Sequence, residues 1–199
     1  MASDVSPDTP KTPQRRLATA LGSLAGGLLV VSLFFPFWQT QVFAPQYRQG
    51  LKATLYAYHI GGDAREIDSL NHYIGISKLE SLGQWERRLG FPAVLALAFL
   101  SWRLPRAPRA SLRWLMFLPV ALFPLIFVLD MTIWMRYASR HLNPAAPLKL
   151  KPFTIPIIGQ GRIAQFHSAA GPMPGFYLAV AAILLLLAAL WQLRKEGGS

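Results

Sequence analysis

The chain has 199 residues, of which 53% are hydrophobic and 15% are charged. Soluble domains carry roughly 25% charged residues, so this composition, with its apolar residues gathered in long runs, predicts a protein of the lipid bilayer. The formal net charge of +11 suits anionic lipid head groups, and we expect no nucleic-acid partner because the sequence contains no basic motif interleaved with aromatic residues.

Four apolar segments divide the chain. A bilayer core of about 30 Å requires about 20 apolar residues in a helix, so we predict an all-α membrane protein with four transmembrane helices. The spans are expected at about 17–37, 89–104, 112–135 and 176–193. They form a membrane domain over 17–193, between a disordered cytoplasmic tail at 1–16 and a second cytoplasmic tail at 194–199. Two outer loops, 38–88 and 136–175, are expected to fold into one small mixed α/β cap.

The basic residues indicate how these helices are oriented. Nine of the twenty Lys and Arg residues lie in the two tails and in the short link between the second and third spans. Such residues concentrate on the cytoplasmic side, so both termini are expected in the cytoplasm, with the cap on the outer side of the membrane. The first span is expected to be an uncleaved signal anchor. A cleaved signal peptide is the alternative, but the apolar run is longer than usual and no A-x-A site follows it.

Small residues recur at four-residue spacing in the first span, at Ala18, Gly22 and Gly26. Such a stripe lets two helix backbones approach closely. We expect it to serve packing inside the bundle, although dimerisation would use the same stripe.

The first outer loop contains a predicted strand followed by a predicted helix. In GLKATLYAYHIGG, which begins at Gly50, apolar and polar residues alternate as in a strand, and the Gly61-Gly62 pair is typical of a turn. In DAREIDSLNHYIG, Asp63 and Glu66 have the spacing of a capping box, and Gly75 is a typical helix stop. The loop is therefore expected to be folded.

The end of this helix carries the polar string Asn71-His72-Tyr73, which is the first candidate site. His72 lies off the apolar face, and Asp68, one turn earlier, could hold one imidazole nitrogen and leave the other free. His72 is predicted either to bind a metal or to make a structural hydrogen bond. Asn71, Tyr73 and Asp68, together with His59 and His167 of the outer loops, are candidates for contacting the same metal or a docking partner.

The second candidate site comprises Met131, Met135 and Asp130, near the outer end of the third span. The two thioethers share a helix face, and with His72 they are the ligand types that a cysteine-free chain would use for copper, as Cu(I). Methionine is also a common gap filler in apolar cores. A carboxylate inside a span is functional by default, but Asp130 could equally form a structural ion pair with Arg136.

Signatures of catalysis are missing from the sequence. The chain contains no H-E-x-x-H, G-x-S-x-G, P-loop or dinucleotide-binding motif. No second carboxylate lies inside a predicted span, so a proton relay through the bundle has no path. We therefore expect neither an enzyme nor a pump.

Five strings suggest a family. They are FFPFW, APQYRQGL, LNHYIGI, NPAAPLKLKPFTIPIIG and IAQF, beginning at Phe34, Ala44, Leu70, Asn143 and Ile163. In this order they resemble a group of small four-helix bacterial inner-membrane proteins, encoded near genes for copper-enzyme maturation of the nitrous-oxide-reductase type and for cytochromes c. The family's G-H-x-L-D-P pattern reads SRHLNP here, from Ser139, so the resemblance does not carry a ligand role onto His141.

These features together predict an accessory protein of the bacterial inner membrane. It would assist the maturation of a periplasmic metalloenzyme or supply its metal, with copper as the expected metal. Its partners would be the lipid bilayer and a periplasmic or membrane protein. The alternative is a structural or assembly subunit of a larger membrane complex, in which the same polar residues only stabilise the cap.

Overall fold

The computed structural model describes residues 13–44, 47–148, 153–163 and 166–196. Within these ranges the chain forms five α helices, five β strands and two single turns of 3₁₀ helix. The helices are α1 (Pro13–Ser32), α2 (Ala64–Ile74), α3 (Gln84–Arg103), α4 (Ala110–Arg140) and α5 (Pro174–Glu196). The strands are β1 (Trp38–Ala44), β2 (Tyr47–Leu55), β3 (Ile60–Gly62), β4 (Gly159–Ile163) and β5 (Phe166–Pro172). The 3₁₀ turns are Leu79–Ser81 and Leu104–Arg106.

The five strands form one antiparallel sheet in the order β3-β2-β1-β5-β4. Both predicted outer loops contribute to it, because β1 pairs with β2 on one side and with β5 on the other; Val42, for example, lies opposite Ser168. Side chains alternate between the two faces of a sheet. Ala53 and Ser168 are buried on the face toward the helices, whereas Lys52 and His167 are exposed on the outer face.

Helix α1 packs closely along α5 and α3. Ala18, Gly22 and Gly26 are buried in this packing, and a Cβ atom at Gly26 would lie 2.9 Å from the carbonyl oxygen of Ala98 in α3. The predicted stripe of small residues is therefore confirmed as a site of packing within the fold. The largest buried cluster around it includes Ala25, Leu29, Val94, Val120 and Leu186.

Two aromatic residues anchor the sheet to the helices. Phe37 and Trp38, which join α1 to β1, are fully buried. The ring of Phe37 contacts those of Phe123 and Phe127 in α4, and the ring of Trp38 also contacts Phe127. The indole N–H of Trp38 donates a hydrogen bond of 2.7 Å to the carbonyl of Ile157. The sheet and the helices therefore share one core.

The prediction of an all-α protein with four transmembrane helices is wrong. The fold combines five helices with a five-stranded sheet, and among the described residues two helices are long and apolar enough to cross a membrane, α4 and the Pro174–Lys195 part of α5. Helix α1 carries Arg15 and Arg16 in its first turn and ends at Ser32, so the last residues of the predicted span leave the helix. Helix α3 begins with a charged turn at 84–88. Apolar runs in the sequence therefore overstated how much of the first two segments is apolar helix.

The predicted elements of the first outer loop are confirmed in outline. β2 covers the predicted strand, and α2 begins after Asp63 and ends before Gly75, whose φ of +82° is left-handed, as in a helix stop. Two details differ. The Gly61-Gly62 pair belongs to β3, so the turn precedes it, and the carboxylate of Asp63 accepts the backbone N–H of Lys52 at 2.9 Å instead of capping α2. The carboxylate of Asp63 therefore binds the backbone of β2 and is not used to cap α2.

The predicted tails fall mainly on residues 1–12 and 197–199, which lie outside the described residues. Residues 13–16 form the first turn of α1, and Arg194–Glu196 belongs to the last turn of α5. The two helices therefore extend into the predicted tails.

Candidate functional site

A cavity of about 420 Å³ lies between the sheet and the helices. Its volume falls within the range of small-molecule sites. The inner face of the sheet contributes Thr40, Val42, Ala53, Leu55 and Ser168. Helix α2 contributes Ile67, Leu70, Asn71 and Ile74, and α4 contributes Phe123, Phe127, Asp130, Met131, Trp134 and Met135. The cavity is thus formed where three layers of the fold meet.

Most of the side chains that line the cavity are apolar, so they offer water few hydrogen-bond partners. A cavity with such a lining suits an apolar ligand.

The exposed residues that line the cavity belong to α3 and α4, so we place its opening between these two helices. Leu89 of α3 and Ile126 of α4 line it, yet they are 62% and 57% exposed. Ala93, one turn along α3 from Leu89, also lines the cavity and is exposed. Glu86 is the charged residue among the exposed lining residues; the apolar majority suits the entry of apolar molecules.

Few polar groups face the cavity, and they come from different elements. Glu86 and Arg87 belong to the first turn of α3, and Asp130 to the last third of α4. The Oε2 atom of Glu86 and the Nε1 atom of Trp134 both approach Gly83, at 3.7 and 3.5 Å from the position of a Cβ atom there. With two carboxylates and one guanidinium, this part of the cavity is negatively charged on balance.

Ser168 of β5 adds a buried polar group. Its side chain is 6% exposed, and its hydroxyl oxygen has no hydrogen-bond partner within the described part of the chain. Buried hydroxyl groups are normally hydrogen-bonded. Because Ser168 lines the cavity, a ligand there could supply the missing partner.

The guanidinium of Arg87 is bound by the Leu79–Ser81 turn. It donates hydrogen bonds to the carbonyls of Leu79 at 3.4 Å, of Glu80 at 2.7 Å and of Leu82. Burial lowers the pKa of Arg87, while the charges of Glu86 and Glu80 act to raise it. Its donors are therefore directed at backbone carbonyls rather than at the cavity.

Asp68 secures the other end of the same turn. Its carboxylate accepts the backbone N–H of Leu79 at 2.6 Å and of Glu80 at 3.4 Å, and the side-chain amide of Asn71 donates to it at 3.3 Å. The interpretation of Asp68 as the residue that orients His72 is therefore wrong. The carboxylate is buried beneath α2, where fixed backbone donors bind it, whereas His72 is exposed.

The predicted site residues separate into two groups. Asn71, Asp130, Met131 and Met135 line the cavity, as described above. His72 and Tyr73 are exposed on α2. In the described ranges, no group of three or more histidine or acidic residues could hold a metal ion.

The other histidines lie at separate positions. His59 stacks on Tyr56 with ring centroids 4.2 Å apart, and partial burial lowers the pKa of His59. His167 is exposed on the outer face of the sheet. His141 follows α4 and stacks on Tyr137, also at 4.2 Å.

Sequence reasoning missed Glu86, Arg87, Trp134 and Ser168 as parts of a site. Glu86 and Arg87 precede an apolar segment, where charges commonly mark the edge of a span. Ser168 is one of several small polar residues in a loop without a motif. Only the packing of β5 and α3 around α4 reveals their shared position.

The sequence matches no family model and no curated protein.

Proposed function

We propose that the protein is a membrane-bound accessory protein that binds a small apolar molecule between its sheet and its helices, and that it is not an enzyme. The observation that carries the proposal is the apolar cavity with its apolar mouth between α3 and α4. Specific small-molecule sites combine an apolar lining with a few polar groups that fix the ligand. The lining described here has that composition.

Exposed apolar side chains support the membrane location. Along α4 they include Leu115, Leu118, Leu125, Ile126, Leu129 and Ile133, and along α5 they include Leu184 and Leu187. Surfaces of this extent are rare on soluble monomers. We propose that α4 and α5 cross the inner membrane of a bacterium.

Charge distribution supports an orientation. Arg103, Arg106 and Arg109 lie around the Leu104–Arg106 turn, which contacts α1 and α5. The start of α1 and the end of α5 also carry basic residues at this end of the bundle. By the positive-inside rule this end is cytoplasmic, so the sheet lies on the periplasmic side.

Single-cysteine labelling tests the orientation, because the natural chain has no cysteine. Lys52→Cys lies on the outer face of the sheet and Arg109→Cys beside the basic turn, and both natural side chains are exposed. In spheroplasts, a membrane-impermeant maleimide should label Lys52→Cys directly and Arg109→Cys only after permeabilisation. The reverse pattern, or equal labelling, would contradict the proposal.

Organic extraction tests ligand binding. The chain is purified in a mild detergent, washed extensively and extracted with chloroform and methanol. Mass spectrometry of the extract should find about one apolar molecule per chain, other than detergent. A matched sample of Ala93→Phe, whose new ring would narrow the mouth, should release much less. Equal amounts from both proteins, or none from either, would contradict the proposal.

A second candidate function is Cu(I) handling in the maturation of a periplasmic metalloenzyme. This candidate is supported by the position of Met131, Met135 and Asp130, which line the same cavity, because thioethers bind Cu(I) well. In a competition titration against a chromophoric chelator, Met131→Leu/Met135→Leu should weaken binding at least tenfold. His72→Ala, outside the cavity, is the control and should leave binding unchanged. Absence of stoichiometric binding would remove this candidate.

A further inference from the structure

We infer that the cavity takes the hydrocarbon chain of a membrane amphiphile whose head group is a protonated amine. This inference rests on the proposed function and specifies its ligand. The chain would enter sideways from the bilayer, between α3 and α4, and the head would lie beside Asp130 and Glu86.

The position of the mouth supports entry from lipid. Leu89, Ala93 and Ile126 surround it and are exposed. Ile126 lies in the middle of α4, which is long and apolar enough to cross a membrane. Because α4 is one of the two helices that we propose to cross the membrane, the α4 side of the mouth faces hydrocarbon, and molecules in the bilayer can reach it.

The lining changes in character along α4. Phe123, Ile126 and Phe127 line the cavity first, and Asp130 follows toward the sheet. At a rise of about 1.5 Å per residue, Asp130 lies about 10 Å beyond Phe123 along the helix axis. Asp130 is thus the one carboxylate of α4 in this lining, beside an apolar stretch of about 10 Å, which matches part of a hydrocarbon chain whose head group lies at Asp130.

The charges at the polar end select the head group. Asp130 is half-buried and Glu86 is exposed, and Arg87, which donates to backbone carbonyls, also lines this part of the cavity. Two carboxylates and one guanidinium leave this part of the cavity negatively charged on balance. This charge attracts an ammonium head and repels a carboxylate or phosphate head.

Ser168 provides an independent indication of a ligand. Its buried hydroxyl has no partner within the part of the chain that the structure describes, and it lines the same cavity. A hydroxyl can accept a hydrogen bond from an ammonium or donate one to a neighbouring oxygen. The apolar volume and the unpartnered hydroxyl thus point to the same occupant.

Native mass spectrometry of the full chain in dodecyl maltoside tests this inference. The probes are hexadecylamine, hexadecanol and palmitic acid, which share a 16-carbon chain and differ in the head group. We expect a 1:1 adduct with the amine at a concentration at least tenfold lower than with the acid, and the alcohol in between. Equal binding of all three, or tighter binding of the acid, would overturn the inference.

Variants locate the adduct. Asp130→Asn and Glu86→Gln should each reduce the preference for amine over acid at least threefold. Ala93→Phe should abolish the amine adduct, while Ala96→Phe, an exposed alanine one turn away that does not line the cavity, should leave it unchanged. If Ala93→Phe elutes as an aggregate, the two charge variants decide the question. Retention of the preference in both would overturn the inference.

The extraction experiment separates this inference from the proposed function. If extraction releases an apolar molecule without an amine, the inference fails and the proposed function stands. If extraction releases nothing and no probe binds, both fail.

Discussion

At Gly90, α3 lies directly against the connection between β2 and β3. A Cβ atom there would overlap the carbonyl oxygen of Ala57, in the connection between β2 and β3. Gly90→Ala should therefore destabilise the fold by about 1–3 kcal/mol, as overpacking does. The free energy of unfolding in mild detergent, from a denaturant titration, measures the effect.

Gly27→Ala is the matched control for that change. Gly27 lies in α1 with no neighbouring atom within 4 Å of a Cβ position, so alanine should be neutral or stabilising by up to about 1 kcal/mol. Similar effects of the two substitutions would contradict the close approach at Gly90.

The stacked pair Tyr56 and His59 makes the same connection sensitive to pH. Partial burial lowers the pKa of His59, so the fold favours the neutral imidazole. The resulting stability is present above the ordinary pKa of about 6.5 and is lost as the pH falls through the lowered pKa. An NMR titration should give His59 a midpoint below about 6.5, and Tyr56→Ala should move it upward. A midpoint at or above that value in the natural protein would refute the prediction.

At the scale of elements, the Leu79–Ser81 turn is held from both ends by charge. Asp68 accepts hydrogen bonds from N–H groups at its start, and Arg87 donates to carbonyls at its end. These are the signs that complement the exposed peptide groups at the two ends of a helical turn. The turn forms part of the cavity lining through Leu79.

Removing the Asp68 carboxylate should therefore weaken the fold. Asp68→Ala would leave two backbone donors unsatisfied, and hydrogen bonds to a charged group contribute about 1.5–3 kcal/mol each. We expect a loss of about 2–4 kcal/mol in the free energy of unfolding, with Asp68→Asn intermediate. Glu66→Ala, an exposed acid on the same helix, is the control and should change stability by less than about 0.5 kcal/mol.

Elements with local signals were predictable. β2 follows from alternation over residues 50–58, and α2 from its apolar spacing and the Gly75 stop. β1, β4 and β5 could not be predicted from local signals. β1, for example, directly follows an apolar run that resembles the end of a membrane span. Its pairing with β5 joins residues more than 120 positions apart, and no local pattern encodes such a pairing.

The residues of the candidate site also differ in whether local sequence could predict their position. Asp130, Met131 and Met135 are close in sequence on one helix, so their common position could be inferred from spacing alone. The sequence also indicates Asn71, but only together with its neighbours His72 and Tyr73, which do not line the cavity. Glu86 and Ser168 join the site only through tertiary packing.

At the scale of the whole molecule, the sheet ties two distant parts of the chain together. Gln41 of β1 lies directly opposite Ala169 of β5, and directly paired strand residues have the spacing that a disulfide requires. Gln41→Cys/Ala169→Cys should form a disulfide readily under mild oxidation. The cross-linked chain should migrate differently from the reduced chain in denaturing electrophoresis.

The matched control for that cross-link uses the next strand. Gln160 of β4 also pairs with Ala169, so Gln41→Cys/Gln160→Cys places the thiols two strands apart, about 9–10 Å, beyond the reach of a disulfide. Equal cross-linking of both pairs would contradict the strand order β2-β1-β5-β4.

During synthesis, β1 must wait for its partner strand β5. β1 leaves the ribosome roughly 130 residues before β5, an interval of roughly 6–25 s at about 5–20 residues per second. Throughout it the β1–β2 hairpin presents one unpaired edge, which can pair with another nascent chain. Ser168 arrives with β5, so the inner wall over the helices is completed only when almost the entire protein has been made.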